Sequence, residues 1–269
     1  MEGKAGDTGV IMQSKLFLFL LITLTCANGL SAQDRIEDNS FLLEEAYNQE
    51  KGVVQYINTF KRDRGGTWNY SFTNEIPLKG QKHQFSYTIP LNNAGNGTGV
   101  GDIAINYRYQ AVINDKFAVS PRASLLLPTG SKERFLGTGG VGFQFALPVS
   151  VTIAPKLVTH FNAGTTLTPR ATNFLRQTAA TKDVYVGQSL IFLATPTFNV
   201  MFESLHENKE SLIGQGRTAR GGQTTLNPGI RWAHNLKSGW QIVPGFAVPF
   251  GVGNTWGSRS AFIYLSFEK

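Results

Sequence analysis

The chain of 269 residues carries a formal net charge of +7, yet only 16% of its residues are charged, against roughly 25% in an ordinary soluble domain. No stretch gathers the basic residues into a stripe interleaved with base-stacking aromatics, which argues against nucleic acid as the partner. With 29 glycines and 19 phenylalanines, the composition points to a surface that meets something other than water.

Leu16 to Leu24 (LFLFLLITL) is an almost unbroken apolar run behind Lys15, and small residues follow it as far as Ser31 and Ala32. The run is too short to cross a bilayer comfortably and has the build of a secretory signal peptide, so residues 1–32 are expected to be removed on export. Asp7 and the glycines among residues 1–10 are odd for such a leader, and Met12 offers the cleaner start MQSK. The single cysteine, Cys26, falls inside the leader. The mature chain is therefore expected to hold no disulfide and no cysteine-ligated metal.

Residues 33–51 are polar, acidic and not alternating. Asn39 or Ser40 can cap a short helix, Glu44 and Glu45 suit its first turns, and Leu42, Leu43, Ala46 and Tyr47 would share a face. Two placements stay open: a periplasmic tail, or a plug in which Phe41, Leu42, Leu43, Glu44, Glu45 and Tyr47 make the contacts.

From residue 52 to residue 269 the sequence changes to short alternating segments, the mark of strands with two unlike faces. Val54, Tyr56, Asn58 and Phe60 share one parity, and Trp68, Tyr70, Phe72 and Ile76 alternate with polar residues. Phe85, Tyr87 and Ile89 follow, then GVGDIAINYRYQ (99–110), in which Asp102, Asn106 and Arg108 oppose Ile103, Ile105, Tyr107 and Tyr109. Further segments begin near Phe117, Val141, Ile153, Asp183, Phe198, Leu226 and Trp240, and the chain closes on SAFIYLSFEK. About twelve such segments lie within the range of bacterial barrels.

The links between them support the same architecture. Short ones (KGQK, INDK, the corner Pro148-Val149-Ser150, 194–197, NLKSG) alternate with longer polar ones (LNNAGNGTG, PTGSKERFLGTGG, 165–182, 206–222). Outer-membrane barrels have short periplasmic turns and long outer loops. The expected fold is all-β, a transmembrane antiparallel up-and-down β-barrel in which Ile103 and Ile105 face lipid and Tyr107 and Tyr109 approach the interfacial aromatic girdle. Pro121, Pro155, Pro228 and Pro244 fall inside the proposed strands and require bulges or nearer strand ends.

On this reading Glu75, Asp102, Asn106, Arg108, Arg122, Lys156, His160, Glu203 and Arg231 share the inner parity. Buried charges must be paired or wetted. The interior is therefore expected to be either a plug-like ionic network or a narrow channel.

The stretches SFLLEEAYNQEKGVVQ (40–55), FSYTIPL (85–91), GVGDIAINYRYQ and LLPTG (126–130) resemble the bacterial outer-membrane proteins grouped as transporters of the phenol meta-degradation pathway. The shared features are a glycine-rich strand entry, a D-x-x-x-x-Y strand and a Pro-Thr-Gly strand exit. None of these is a catalytic signature. The resemblance implies an outer-membrane barrel that passes small hydrophobic or aromatic compounds. The C-terminal AFIYLSF also looks like the strand read by the barrel-assembly machinery, although Glu268 and Lys269 follow the final aromatic.

Gly137, Gly139 and Gly142 match G-x-G-x-x-G, but a strand pattern follows where a dinucleotide site needs a helix. His83, His160, His206 and His234 are scattered, so neither a metal nor a cofactor is expected. His160 has the inner parity, yet no serine sits in a nucleophile motif. A lipid-modifying barrel enzyme is accordingly the weakest reading. The leading one is a bacterial outer-membrane channel for small solutes. The rival is a closed structural barrel whose Arg170, Arg176, Lys209, Arg217 and Arg220 contact lipopolysaccharide phosphates.

Overall fold

The computed structural model describes residues 40–269. The leader, the alternative start at Met12 and the helix cap at Asn39 lie outside the described residues. Twelve antiparallel strands form one closed barrel. They are β1 (Gln55–Asp63), β2 (Trp68–Leu78), β3 (His83–Asn93), β4 (Thr98–Val100, Ile103–Tyr109 and Val112–Ile113) and β5 (Phe117–Val119 and Arg122–Leu127). Then follow β6 (Gly142–Ala154), β7 (Leu157–Thr172), β8 (Thr178–Thr195) and β9 (Phe198–Gly214). The last are β10 (Arg217–Trp232 with His234–Asn235), β11 (Gln241–Ala247 and Phe250–Val252) and β12 (Ser260–Glu268). Each strand pairs with its sequence neighbours, and β12 returns to β1 in an unbroken register from Gln55↔Glu268 to Asp63↔Ser260.

Burial is inverted relative to a soluble protein, and this inversion decides the environment. In β4, Asn106 and Arg108 are 5% and 2% exposed while Ile105 and Tyr107 are 38% and 45% exposed. The same holds in β6, where Phe143, Phe145 and Leu147 are exposed and Ser150 is fully buried. A water-facing surface of phenylalanine, leucine and isoleucine over polar strand faces would be an aggregation hazard. Facing hydrocarbon it is the stable arrangement, because a closed sheet pairs every wall amide internally. The rim at the short-turn end carries the aromatic girdle: Tyr56 packs on Trp240 at 6.3 Å, Lys269 caps Trp240 at 5.7 Å and Lys82 caps Tyr109 at 5.6 Å.

Several boundaries differ from the sequence reading. The expected corner at Pro148 does not exist: β6 passes straight through it, with Pro148 in register with Asn162. Its missing N–H is not needed, because the neighbouring strand β5 is interrupted there at Ser120 and Pro121. Pro155 lies in the β6–β7 turn. Pro228 and Pro244 stay within β10 and β11, whose mutual ladder is broken into three short pieces around them.

The pieces 165–182 and 206–222, expected to be loops, are mostly strand. The β7–β8 ladder continues to Thr172↔Thr178 and the β9–β10 ladder to Gly214↔Arg217. These hairpins stand tall: the 18 residues of β8 reach roughly 60 Å at about 3.3 Å each, far beyond an apolar band about 25 Å high. Above the band the backbone ladder persists while the apolar parity signal disappears. The asymmetry of the two ends therefore resides in strand height and in the loops 128–141 and 253–259, not in a strict alternation of loop lengths.

The described part of the N-terminal segment forms no helix; residues 40–50 run irregularly and extended. The reason lies in the bonds described next, since the amides a helix would use are taken by the barrel wall.

Ile263 faces outward near the middle of β12, between Phe60 and Phe246 on the adjoining strands. Ile263→Arg should destabilise the barrel folded in a bilayer by roughly 2–4 kcal/mol, whereas Ile263→Leu should stay within about 1.5 kcal/mol. Equal stability of the two variants in lipid-reconstituted unfolding would contradict a lipid-facing site.

Candidate functional site

The strongest concentration of inward polar groups surrounds residues 40–50, which lie against the inner faces of the strands as a strap. Glu203 of β9 accepts from both Leu42 N at 2.9 Å and Leu43 N at 3.2 Å, and Asn227 of β10 donates to its other oxygen at 2.6 Å. Asn162 of β7 clamps one residue from both sides, accepting from Glu44 N at 3.0 Å and donating to Glu44 O at 2.7 Å. Ala46 N donates to Ser150 Oγ at 2.7 Å, and Ala46 O accepts from Gln110 Nε2 at 2.8 Å and Ser120 Oγ at 2.5 Å. Asn48 N and Gln49 N donate to Gln110 and Gln84 at 2.8 Å and 2.7 Å.

Charge fixes the strap along its length. The Arg122 guanidinium grips the Glu44 carboxylate through two nitrogens at 2.6 Å and 3.0 Å, the fork-on-fork geometry that gives such pairs their direction. Asn106 and Gln144 accept further Arg122 protons at 3.1 Å and 2.8 Å, and Ser124 Oγ accepts another. Arg108 stands between Glu44 at 3.8 Å and Glu75 at 3.6 Å, and donates to the carbonyls of Glu45 and Tyr47 and to Asn48 Oδ1. Each buried charge here meets an opposite charge, which is what burial demands.

Shape fixes the strap's outer end. The Phe41 ring packs on Phe262 and Tyr264 at 5.5 Å and 5.7 Å. It fills a notch cut by two glycines, since a Cβ on Gly229 would sit 2.4 Å from the ring and one on Gly245 2.5 Å from it. Leu43 uses Gly187 in the same way, with a Cβ there falling 2.6 Å from Leu43 Cδ2. Leu42 lies against the apolar cluster around Phe41. Ser40 Oγ meets Ser189 Oγ at 2.7 Å.

Below the strap, toward the short turns, a cavity of about 670 Å³ is bordered by Glu45, Tyr47, His160, Arg231, Ile191 and Leu193 among others. The size suits a small ligand. His160 Nδ1 lies 2.7 Å from Ser150 Oγ, a pairing that no sequence motif announced. Ser150 is fully buried and its oxygen already accepts Ala46 N. The pair therefore holds the strap.

The structure thus brings Glu75, Asn106, Arg108, Arg122, His160, Glu203 and Arg231 to the inner side, where all but Arg122 are nearly fully buried. It separates two others from them. Asp102 sits at the outer mouth and ties down the loop 128–141, accepting from Gly130 N, Thr138 N and Thr138 Oγ1. Lys156 is exposed in the β6–β7 turn at the mouth of the cavity. Sequence reasoning missed Asn162, Ser150, Ser120, Gln110 and Gln84, because it searched the inner parity for charge and these residues act through neutral amides and hydroxyls. Among the described residues no cluster of potential metal ligands occurs.

No family model matches the sequence, and no curated protein matches it. Among solved structures the chain is similar to the NanC porin, with a TM-score of 0.55 and 10% identity over 80% of this chain and 98% of that one. It is similar also to the COG4313 outer membrane channel from Pseudomonas putida F1, with a TM-score of 0.57 and 12% identity over 81% and 93% of the two chains. At these identities the likeness establishes the fold, that of porin-like outer-membrane barrels.

Arg122→Leu leaves the Glu44 carboxylate without its main partner and should destabilise the folded barrel by about 3–5 kcal/mol, with Glu44→Gln in the same chain recovering much of that loss. Urea midpoints in detergent, compared across the two single variants and the double, read this coupling directly. Strict additivity would show that the pair does not hold the strap.

Proposed function

We propose that this protein is a bacterial outer-membrane channel for small solutes and that residues 40–50 form the plug that closes it. The observation that carries the reading is the way the strap is held. Main-chain hydrogen bonds, the pairing of Glu44 with Arg122 and Arg108, and the Phe41 and Leu43 side chains in glycine notches retain it, all of them non-covalent. Such a closure is stable yet reversible, because each bond is worth only about 0.5–1.5 kcal/mol net. The cavity beneath it is the receiving chamber on the periplasmic side.

The resemblance to phenol meta-degradation transporters directs the choice of solute to small aromatic compounds. The chamber supports that choice, since its lining mixes Ile191, Leu193 and Val158 with His160 and Arg231. Export through the leader of residues 1–32, delivery by the barrel-assembly machinery and a surrounding of outer-membrane lipid and lipopolysaccharide complete the reading. The channel neighbours support transport over catalysis. The competing reading, a permanently closed barrel, draws on the density of bonds around the strap.

The Ser40 and Ser189 hydroxyls touch, so Ser40→Cys with Ser189→Cys places two thiols for a disulfide between strap and wall. In planar bilayers the oxidised variant should conduct at least about tenfold less often than its reduced form, and reduction should restore wild-type openings. Openings unaffected by the disulfide would remove the strap from the closing role. Silence under every condition would favour the closed barrel.

A further inference from the structure

The wall grips the main chain of every strap residue from 42 to 49. The N–H groups of Leu42, Leu43, Glu44, Ala46, Asn48 and Gln49 all donate to wall side chains. The carbonyls of residues 44–48 all accept from Asn162, Arg108, Gln110, Ser120 or Gln81. A side chain that bonds a peptide group cannot distinguish one residue type from another, since every residue but proline offers the same donor and acceptor. This is how extended peptides are gripped when backbone supplies affinity and a few pockets supply selectivity.

Three pockets provide that selectivity. The notch of Gly229 and Gly245 admits an aromatic ring and would reject nothing flat and apolar of that size. Three residues further along, Arg122 and Arg108 converge on one carboxylate. Between them Leu43 fills the slot over Gly187, and the Asn48 side chain accepts from Arg108, while Leu42 is only partly buried. The strap joins β1 through the exposed pair Lys51 and Gly52, the latter at φ 89°.

We propose that the lumen is an extended-peptide site whose ligands are short acidic peptides with an aromatic residue three positions before a carboxylate. Residues 40–50 are its built-in occupant, held at high effective concentration by the Lys51-Gly52 turn. A free peptide of this class competes with the strap for the same donors and acceptors. The proposal rests on the strap's contacts and is independent of whether the barrel conducts.

The test uses the full chain with a protease site inserted between Lys51 and Gly52. The chain is folded in detergent and cut, and the barrel is checked by its heat-sensitive gel mobility. A labelled peptide SFLLEEAYNQE is then added and binding is read by fluorescence anisotropy. It should exchange into the cut protein. A peptide carrying Leu42→Ala should bind within about threefold of it. Peptides carrying Phe41→Ala or Glu44→Gln should each bind at least about tenfold more weakly. In the barrel, Asn162→Leu should weaken every peptide alike, and if that variant does not fold, the peptide substitutions still decide the matter. A strap fragment that stays in place under a large excess of peptide overturns the proposal. So does a Phe41→Ala or Glu44→Gln peptide that binds as tightly as the native one, because those pockets would then select nothing.

Discussion

Everything in this molecule depends on the requirement that peptide groups removed from water find partners. The barrel wall meets it by closure, each strand pairing on both sides and β12 sealing against β1. The strap inside cannot join that ladder, because the wall strands have already used their own N–H and C=O groups. It is satisfied instead by wall side chains: Glu203, Asn162, Ser150, Gln110 and Gln84 stand where a neighbouring strand's backbone would otherwise be. A helix over the same residues would satisfy itself, but it would leave these inward amides, hydroxyls and carboxylates without partners in a space closed to water. The wall therefore selects the extended form, and local helix propensity loses to the polar groups around it.

The ionic network adds register more than net stability. Moving Glu44, Arg122, Arg108 and Glu75 out of water is costly, and their mutual attraction recovers that cost only through good geometry and many added hydrogen bonds. What the network does provide is position. Sliding the strap by one residue would move Glu44 away from the Arg122 fork and drive the Phe41 ring into strand backbone beyond its glycine notch. Electrostatics and shape thus agree on a single placement, a consistency that makes the site specific. The same agreement explains why three inward glycines occur beside the strap: only a bare backbone leaves room for Phe41 and Leu43 against the wall.

The sequence disclosed the wall well and the strap poorly. In β1 to β4, β6 and β12 strict alternation of apolar and polar residues made strand, faces and approximate ends legible, because lipid enforces parity on the outer face. Parity failed where lipid ends. The upper parts of β7 to β10, with Thr165, Thr166, Lys182, Glu207 and Gly222, are polar on both faces and read as loop although their backbones pair. Pro148 read as a corner because the break that accommodates it belongs to a different strand, at Ser120 and Pro121. Asp102 and Lys156 carry the inner parity by count, yet they lie beyond the ends of their strands, where parity no longer assigns a face. The strap's partners come from strands spread along the whole chain, and no local pattern reports that Asn162 will meet Glu44 across 118 positions.

The composition of the interior also narrows what could pass through it. A purely apolar solute entering the chamber would strip water from His160 and Arg231 and offer them nothing in return, a penalty of the kind that excludes oils from polar cavities. A strongly hydrated ion would meet Ile191, Leu193 and Val158 among the lining residues and lose solvation there without compensation. A solute that carries both an apolar part and a polar group suits this mixed lining of about 670 Å³ better than either extreme. That is the same division of labour the strap already shows, with the Phe41 ring in a bare notch and the Glu44 carboxylate on Arg122, so occupant and chamber obey one rule of recognition.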